Sequence, residues 1–168
     1  SLTSLNIPNS LSSIGSYSFY NCSSLTSLII PNNINSIESY SFYGCSSLTS
    51  ISIPNKQISI SSDSFDYCNS VISLNITGYG EMCDFDRYVE QPWRSLRYRI
   101  NTIIIEEGVA SIGSHAFTYF NNMTSISIPY NISSIGSYAF YECHSLKSLI
   151  IPSNVTSIKS FLFGNCYS

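Results

Sequence analysis

A motif of 23 residues recurs along this chain and constrains its fold more than any other feature of the sequence. Residues 21 to 54 contain it twice, with Cys22 and Cys45 at equivalent places. Counted from the cysteine, aliphatic residues recur at offsets 3, 6, 8, 12 and 15, proline at offset 9 and phenylalanine at offset 20. The 168 residues divide into about seven coils, six of 23 residues and one of 29. Because so short a repeat cannot bury its own apolar side, its copies are expected to stack.

Two segments of each coil predict its shape. The segment SLII or SISI at offsets 5 to 8 alternates polar and β-branched apolar residues, which indicates a short strand that the next proline ends. The aromatic segment SYSFYN or SYAFYE is too short for an isolated helix and favours one helical or 3₁₀ turn on the opposite side. Stacked coils therefore predict an α/β-type, mostly β solenoid with one parallel sheet and a continuous core.

The repeat resembles that of a known family. The pattern C-x-S-L-x-S-[LI]-x-I-P-x-x-[IVL]-x-S-I-x-S-x-[AS]-F is similar to BspA-like leucine-rich repeats, also described as the Treponema pallidum subclass. The odd coil matches as well, since GYGEMCDFDRYVEQPW and INTIIIEEGVASIGSHAF look like elements that recur in this family. The resemblance implies a right-handed leucine-rich repeat superhelix. Residues 1–168 would form a single solenoid, a segment of a longer chain, with residues 78–99 as a divergent longer coil or insertion.

The cysteine position is predicted to belong to the apolar core. One coil has Phe120 at this position, and a site that accepts cysteine or phenylalanine is typical of an apolar interior. Stacked cysteines would lie about 4.8 Å apart and point the same way, which favours free thiols over disulfides without excluding the latter. A linear column also lacks the four converging ligands of a zinc site, so no metal is expected. The predicted core column is Cys22, Cys45, Cys68, Phe120, Cys143 and Cys166.

The divergent coil is the most charged part of the chain. Ten of the seventeen charged residues, all four arginines and the single tryptophan lie between Gly78 and Glu107. Two interpretations stay open: a structural plug, in which Phe85, Trp93 and Leu96 replace the usual apolar positions, or a binding loop. The candidate residues of the binding loop are Asp84, Phe85, Asp86, Arg87, Trp93 and Arg94.

The exposed side of the predicted strands is the second candidate surface. Offsets 5 and 7 carry mainly serine with scattered isoleucine, which suits extended contact with a protein or glycan ligand and offers no converging acid, base or nucleophile. A merely solvated sheet is the alternative. The residues of this strand face are Ser27, Ile29, Ser50, Ser52, Ser73, Asn75, Thr102, Ile104, Ser125, Ser127, Ser148 and Ile150.

Composition narrows the functional classes. A net charge of -3 with seven Lys and Arg gives no electrostatic footprint for nucleic acid or for an anionic membrane. No segment is long and apolar enough to insert into a membrane. No catalytic group or cofactor is expected. Both ends are as repetitive as the middle, so further repeats or assembly partners are expected there.

Two functional hypotheses follow. The resemblance implies a non-enzymatic protein-interaction module of a cell-surface or secreted adhesion protein that binds host proteins, matrix proteins or glycans. The alternative is an intracellular structural or scaffold component of a cytoskeletal or organellar assembly, which fits reduced cysteines. Five Asn-x-Ser/Thr sequons are compatible with a secretory route: Asn21, Asn75, Asn122, Asn131 and Asn154.

Overall fold

Successive coils of the solenoid contribute strands that pair side by side in parallel. A computed structural model describes residues 1–86 and 91–167 of the protein. Its strands are β1 (Ser13–Ile14), β2 (Ser27–Ile29), β3 (Ser36–Ile37), β4 (Ser50–Pro54), β5 (Ser59–Ile60), β6 (Ser73–Thr77), β7 (Gly80–Glu81), β8 (Thr102–Ile105), β9 (Val109–Ile112), β10 (Ser125–Ser127) and β11 (Ser134–Ile135). A 3₁₀ helix spans Arg94–Leu96.

The main sheet is parallel, and its strand order follows the chain. Strands β2, β4, β6, β8 and β10 lie side by side, so that each coil pairs with the next. Ser27 pairs with Ser50, Ser50 with Ser73, and Ser73 with Thr102 across the longer coil. The strand register is therefore maintained across the divergent coil, and the extra residues of that coil lie outside the main sheet. The prediction of a mostly β leucine-rich repeat solenoid is confirmed, with about five turns marked by main-sheet strands.

The number of strand-bearing coils is smaller than predicted. About seven coils were expected to contribute strands, but the segments 4–7 and 148–151 of the outermost coils contain none. These coils have a neighbour on one side only and leave apolar side chains such as Leu2 and Ile158 exposed. Less burial is therefore available to hold the strand geometry there.

The expectation of a single sheet was wrong. Two further parallel sheets of three strands each flank the main one, with the orders β1-β3-β5 and β11-β9-β7. Most of their strands contain the Ser-Ile pair at offsets 14 and 15, where Ser13 pairs with Ser36 and Ile14 with Ile37, whereas β7 (Gly80–Glu81) pairs with β9 through an irregular register. A two-residue segment is too short to show a strand pattern in the sequence, so only stacking reveals these sheets.

The aromatic segments form turns, and the 3₁₀ helix within the divergent coil is the one helix of the described residues. The reason lies in the backbone. Tyr17, Asn21 and Tyr40 have φ angles of 59°, 56° and 57°, in the left-handed region, and equivalent residues of other coils do the same. A left-handed residue ends a run of helical hydrogen bonds, so these segments cannot continue as helices.

The core consists of columns of equivalent side chains. Leu25, Leu48 and Val71 form part of one fully buried column at offset 3. Phenylalanine rings stack in another, with centroids 5.1 Å apart for Phe19 and Phe42 and 5.4 Å for Phe42 and Phe65. Each large side chain buried in this way contributes about 1.5 to 3 kcal/mol, so stability is a sum over neighbouring coils.

Candidate functional site

The core column brings its cysteines together as packing residues. Cys45, Cys68, Phe120 and Cys143 are buried, while Cys22 and Cys166 are half-buried against the core. All six cysteines of the chain are free. Four of the thiols also bridge coils, because each donates a hydrogen bond to a phenylalanine carbonyl oxygen of the preceding coil. These bonds run from Cys45 to Phe19 (3.4 Å), Cys68 to Phe42 (3.1 Å), Cys143 to Phe117 (3.2 Å) and Cys166 to Phe140 (3.2 Å).

The surroundings of Cys45 and Cys143 make these two thiols poor nucleophiles. Burial raises the pKa of the Cys143 thiol far above its ordinary value, and the neighbouring Cys166 raises it further. The pKa of Cys45 is raised first by the hydrogen bond with the Cys68 thiol and then by burial. Since the thiolate is the reactive form, Cys45 and Cys143 stay neutral and contribute packing and weak hydrogen bonds, whereas the hydrogen bond with Cys45 lowers the pKa of Cys68.

The divergent coil turns its aromatic residues inward. Phe85 and Trp93 are both buried and meet edge to face, with ring centroids 5.5 Å apart. Trp93 also stacks on Phe117 at 5.7 Å, and its indole N–H donates to the Ala116 carbonyl oxygen at 2.8 Å. Trp93 thus stands in the aromatic column, and neither ring is accessible to a ligand. This part of the coil has the geometry of the structural plug.

The polar residues of the same coil lie outside the core. The Asp84 carboxylate accepts a hydrogen bond from the Ser114 backbone N–H at 2.6 Å, which lowers the pKa of Asp84. Asp86 and Arg94 are exposed, and Arg87 lies outside the described residues. Arg94 lines a shallow cavity of about 410 Å³ together with Asp66 and Tyr98. The loop residues therefore divide into two buried rings and a dispersed charged rim.

The strand face brings most of its predicted residues into two straight rows. Ser148 and Ile150 lie in the next coil, outside any strand. The first row, at offset 5, is Ser27, Ser50, Ser73, Thr102 and Ser125. The second row, at offset 7, is Ile29, Ser52, Asn75, Ile104 and Ser127.

Exposure varies along the second row. Ile29 is 63% exposed, Ile104 40% and Ile150, in the following coil, 88%. Ser52 is only 8% exposed, contrary to the expectation for offset 7, because it lies between Ile29 and Asn75 and the Asn75 amide donates to its hydroxyl at 3.4 Å. The face is thus a shallow polar strip between isolated exposed isoleucines.

Sequence reasoning did not assign any role to the tyrosines on the opposite side. One cluster contains stacked pairs, Tyr17 with Tyr40 at 5.1 Å and Tyr20 with Tyr43 at 5.0 Å, and Tyr67 continues it 4.9 Å from Tyr43. A second cluster beyond the divergent coil contains His115, Tyr119, Tyr138, Tyr141 and Phe161. The recurrence of tyrosine at offsets 18 and 21 was the available signal. Because most ring faces contact one another, mainly ring edges and hydroxyl groups face solvent.

Within residues 1–86 and 91–167, no group of three or more His, Cys, Asp and Glu side chains is arranged to hold a metal ion. No helix in this part of the chain is long and apolar enough to cross a membrane. The described surface consequently offers two extended faces and several shallow depressions.

Comparison with known proteins agrees with this architecture. The family model described as the BspA type leucine rich repeat region matches six copies, over residues 1–83 and 96–168. The unmatched segment lies inside the divergent coil. No curated protein matches the chain.

Several solved structures are similar to the chain. A leucine-rich repeat protein from Eubacterium ventriosum has a TM-score of 0.58 at 17% identity, covering 94% of this chain and 46% of that one. The T. pallidum leucine rich repeat protein has a TM-score of 0.47 at 21% identity, covering 92% of this chain and 58% of that one. A leucine rich cell surface protein from Faecalibacterium prausnitzii has a TM-score of 0.39 at 27% identity, covering 88% of this chain and 38% of that one. This chain thus spans 38% to 58% of the length of these structures.

Proposed function

Because the chain belongs to the BspA-type leucine-rich repeat family, we propose that it is a non-enzymatic module that binds another protein through its strand face. The observation that carries this proposal is the pair of straight rows on the main sheet, with the exposed side chains of Ile29 and Ile104 above a polar strip. Isolated apolar contacts within a hydroxyl-rich surface suit an extended polypeptide, which can use the isoleucines for burial and the hydroxyls for hydrogen bonds.

The hydroxyl groups of the face support this interpretation. The Ser125 hydroxyl donates to Thr102 Oγ1 at 3.3 Å, and the Thr102 hydroxyl donates to Asn101 Oδ1 at 3.0 Å. These linked hydrogen bonds orient the hydroxyl groups before a ligand binds, which reduces the loss of side-chain conformational entropy on binding. The same groups could accept a glycan, so a glycan ligand is the alternative occupant of this face.

The proposed setting is adhesion at the cell surface, with host or matrix proteins as ligands. A direct test would immobilise fibronectin, laminin and collagen and measure binding of the chain and of an Ile104→Ser, Ile150→Ser variant. Binding that weakens about tenfold or more in the variant is expected, because two apolar contacts are lost. A matched Tyr17→Ser, Tyr20→Ser variant on the opposite side should bind normally. Equal binding by all three chains would contradict the proposal.

A second candidate function is supported by the free thiols. Six unpaired cysteines in a short chain are unusual for oxidising compartments, where disulfides form and persist. They favour a structural or scaffold role in an intracellular assembly. Asn131 also supports the scaffold role. Its side-chain amide donates both hydrogens to the preceding coil, to Glu107 O at 2.7 Å and Val109 O at 2.8 Å. A glycan attached to that nitrogen would remove one of these bonds.

One pair of measurements distinguishes the two settings. Antibody labelling of intact source cells should reveal a surface protein and leave an intracellular one unlabelled. Mass spectrometry of the native protein should then find glycans at accessible sequons in the first case and none in the second. A glycan on Asn131 would contradict the scaffold role most directly.

A further inference from the structure

A turn at the end of the main sheet displays one aromatic side chain to solvent. Tyr79 lies between Gly78 and Gly80, whose φ angles of 109° and 77° are accessible mainly to glycine. The Tyr79 side chain is 85% exposed. Unlike Tyr17 and Tyr40, which stack on each other, Tyr79 lies on a turn flanked by two glycines and is more exposed than the other tyrosines of the described residues.

Hydrogen bonds and close packing hold this turn in place. The amide nitrogen of the buried Asn55 donates to the carbonyl oxygens of Tyr79 at 3.4 Å and Gly80 at 3.2 Å. The Gly80 N–H donates to Gly108 O at 2.9 Å. A Cβ atom at Gly108 would overlap the Gly78 carbonyl oxygen and lie 2.9 Å from the Tyr79 ring, so the ring rests against a position that must be glycine. Tyr79 is therefore pre-positioned.

The ring forms one wall of a depression of about 560 Å³, here called the Tyr79 cleft. Ser52 and Thr77 line it with hydroxyl groups, and Ile29 and Pro31 contribute apolar lining. The remaining wall carries two carboxylates. The residues that give the cleft its chemical character are Ile29, Pro31, Ser52, Tyr79, Glu106 and Glu107.

The acidic wall arises where the repeat changes. Offset 9, which is Pro31 and Pro54 in preceding coils, becomes Glu106, and Glu107 follows it. Both glutamates are exposed, and neither makes an ion pair with a described residue. Lys56, which lies two coils before these glutamates, donates to Asn35 Oδ1 at 2.9 Å. The cleft thus combines uncompensated negative charge, a tyrosine ring and an apolar wall.

We propose that the Tyr79 cleft binds a cationic side chain, arginine or lysine, of an extended partner polypeptide. Glu106 and Glu107 form ion pairs with this cation, and the Tyr79 ring packs over it. Ile29 and Pro31 contact a neighbouring apolar residue of the partner. The inference rests on the proposed function and deepens it, since Ile29 belongs to both surfaces. A cation beside an aromatic ring and two carboxylates gains cation–π and charge-assisted hydrogen-bond energy. The net charge of -3 also favours approach of a basic segment.

The experiment uses a fluorescent, capped peptide that alternates leucine and arginine, with a leucine–glutamine peptide as the neutral comparison. Fluorescence anisotropy should show binding of the arginine peptide that weakens with added salt. The Glu106→Gln, Glu107→Gln variant should bind it about tenfold more weakly or worse. Tyr79→Ala should weaken binding about twofold to fivefold, and Tyr79→Phe should retain it because the ring is kept.

A matched variant separates the cleft from general charge. Glu38→Gln with Glu81→Gln changes the net charge by the same amount at exposed positions outside the cleft, and should alter affinity less than about twofold. Circular dichroism of every variant establishes that it is folded. Equal weakening by both charge variants, or unchanged affinity in folded Tyr79→Ala, would overturn the proposal. So would binding of a neutral oligosaccharide that the Tyr79→Ala substitution abolishes, or a concentration-dependent dimer that the peptide fails to dissociate.

Results that contradict the cleft proposal can be distinguished from results that contradict the proposed function. The Ile104→Ser, Ile150→Ser variant leaves the cleft lining intact and tests matrix-protein binding alone. Loss of peptide binding with normal matrix binding would contradict only the cleft. Intact peptide binding with no matrix binding would contradict the strand-face ligand and keep the cleft.

Discussion

A regular coil and the divergent coil solve the same packing problem with different residues. In the regular coil, Phe65 stacks in the aromatic column and the Cys68 thiol donates to the Phe42 carbonyl oxygen of the preceding coil. In the divergent coil, Trp93 stacks in that column and its indole N–H donates to the Ala116 carbonyl oxygen of the following coil. Both arrangements supply a buried aromatic ring and a hydrogen bond between coils.

The difference shows what the solenoid requires of each coil. Volume at the core positions is needed, whereas the donor toward a neighbouring backbone can change in identity and direction or be absent. Phe120 agrees with this, since it fills the cysteine position by volume alone and meets Phe117 edge to face at 5.8 Å. The extra residues are then free to build surface features, such as the acidic rim and the Tyr79 turn.

The largest expected effect tests whether Trp93 contributes as much to the free energy of unfolding as a phenylalanine in a regular coil. Trp93→Ala should lower the free energy of unfolding by about 3 to 5 kcal/mol, because it leaves a cavity between Phe85 and Phe117 and removes a hydrogen bond. Phe42→Ala, in a regular coil, should cost a similar amount. Urea denaturation followed by far-ultraviolet circular dichroism measures both.

Trp93→Phe separates ring volume from the hydrogen bond. It should cost less than Trp93→Ala, leaving the Ala116 carbonyl oxygen without its indole donor. A Trp93→Ala cost below about 1 kcal/mol, with Phe42→Ala strongly destabilising, would show that the divergent coil is a surface loop after all.

Much of this equivalence could be predicted from the sequence. The 23-residue spacing predicts the parallel register and the buried columns, because side chains at one offset must stack once the coils do. Phe85 and Trp93 could not be placed, since the divergent coil offers no neighbouring copy to align with. The Tyr79 cleft was missed for a related reason: its walls come from four different coils and meet only after folding.

The next comparison concerns offset 16, which is Glu38 in a regular coil and Gly113 after the divergent one. A Cβ atom at Gly113 would overlap the Cys83 carbonyl group, so the coils approach closely there. Gly113→Ala must therefore move backbone and should cost about 1 to 3 kcal/mol. Thermal unfolding of this variant measures the effect.

The control is Glu38→Ala, at an exposed side chain of the same offset. It should change stability by less than about 0.5 kcal/mol. Equal tolerance of alanine at both positions would contradict a close backbone approach at Gly113.

A smaller effect is expected in the cysteine column. Cys143→Ala should lower stability by about 1 kcal/mol, since a small buried group and a weak hydrogen bond to Phe117 are lost. Burial raises the pKa of Cys143 in the folded chain. The contribution of the thiol is therefore complete below its ordinary pKa of about 8.5 and decreases as the pH rises above that value, where the unfolded state loses the proton first.

Urea denaturation at a series of alkaline pH values tests this sign. The native chain should lose stability with rising pH more steeply than Cys143→Ala does, and the two curves should converge. Parallel curves would contradict a buried neutral thiol. Thiol titration of the denatured, non-reduced chain should independently find all six cysteines free.

The smallest effect concerns how the divergent coil is fastened to the next one. Asp84 accepts a hydrogen bond from the Ser114 N–H, whereas Asp63 of a regular coil accepts one from the nearby Ser61 hydroxyl at 2.8 Å. Asp84→Asn retains an acceptor and loses the charge, so it should cost less than about 1 kcal/mol at neutral pH, and Asp63→Asn still less.

The pH dependence of stability tests the hydrogen bond of Asp84 directly. The hydrogen bond from the Ser114 backbone lowers the pKa of Asp84 in the folded chain. Its contribution is present above the ordinary carboxyl pKa of about 3.9 and is lost as the pH falls through the lower folded value. Acid unfolding of Asp84→Asn should therefore show a weaker decline of stability below that pH than the native chain. If the two profiles coincide, the carboxylate does not fasten the divergent coil, and the packing of Phe85 and Trp93 alone holds it against its neighbour.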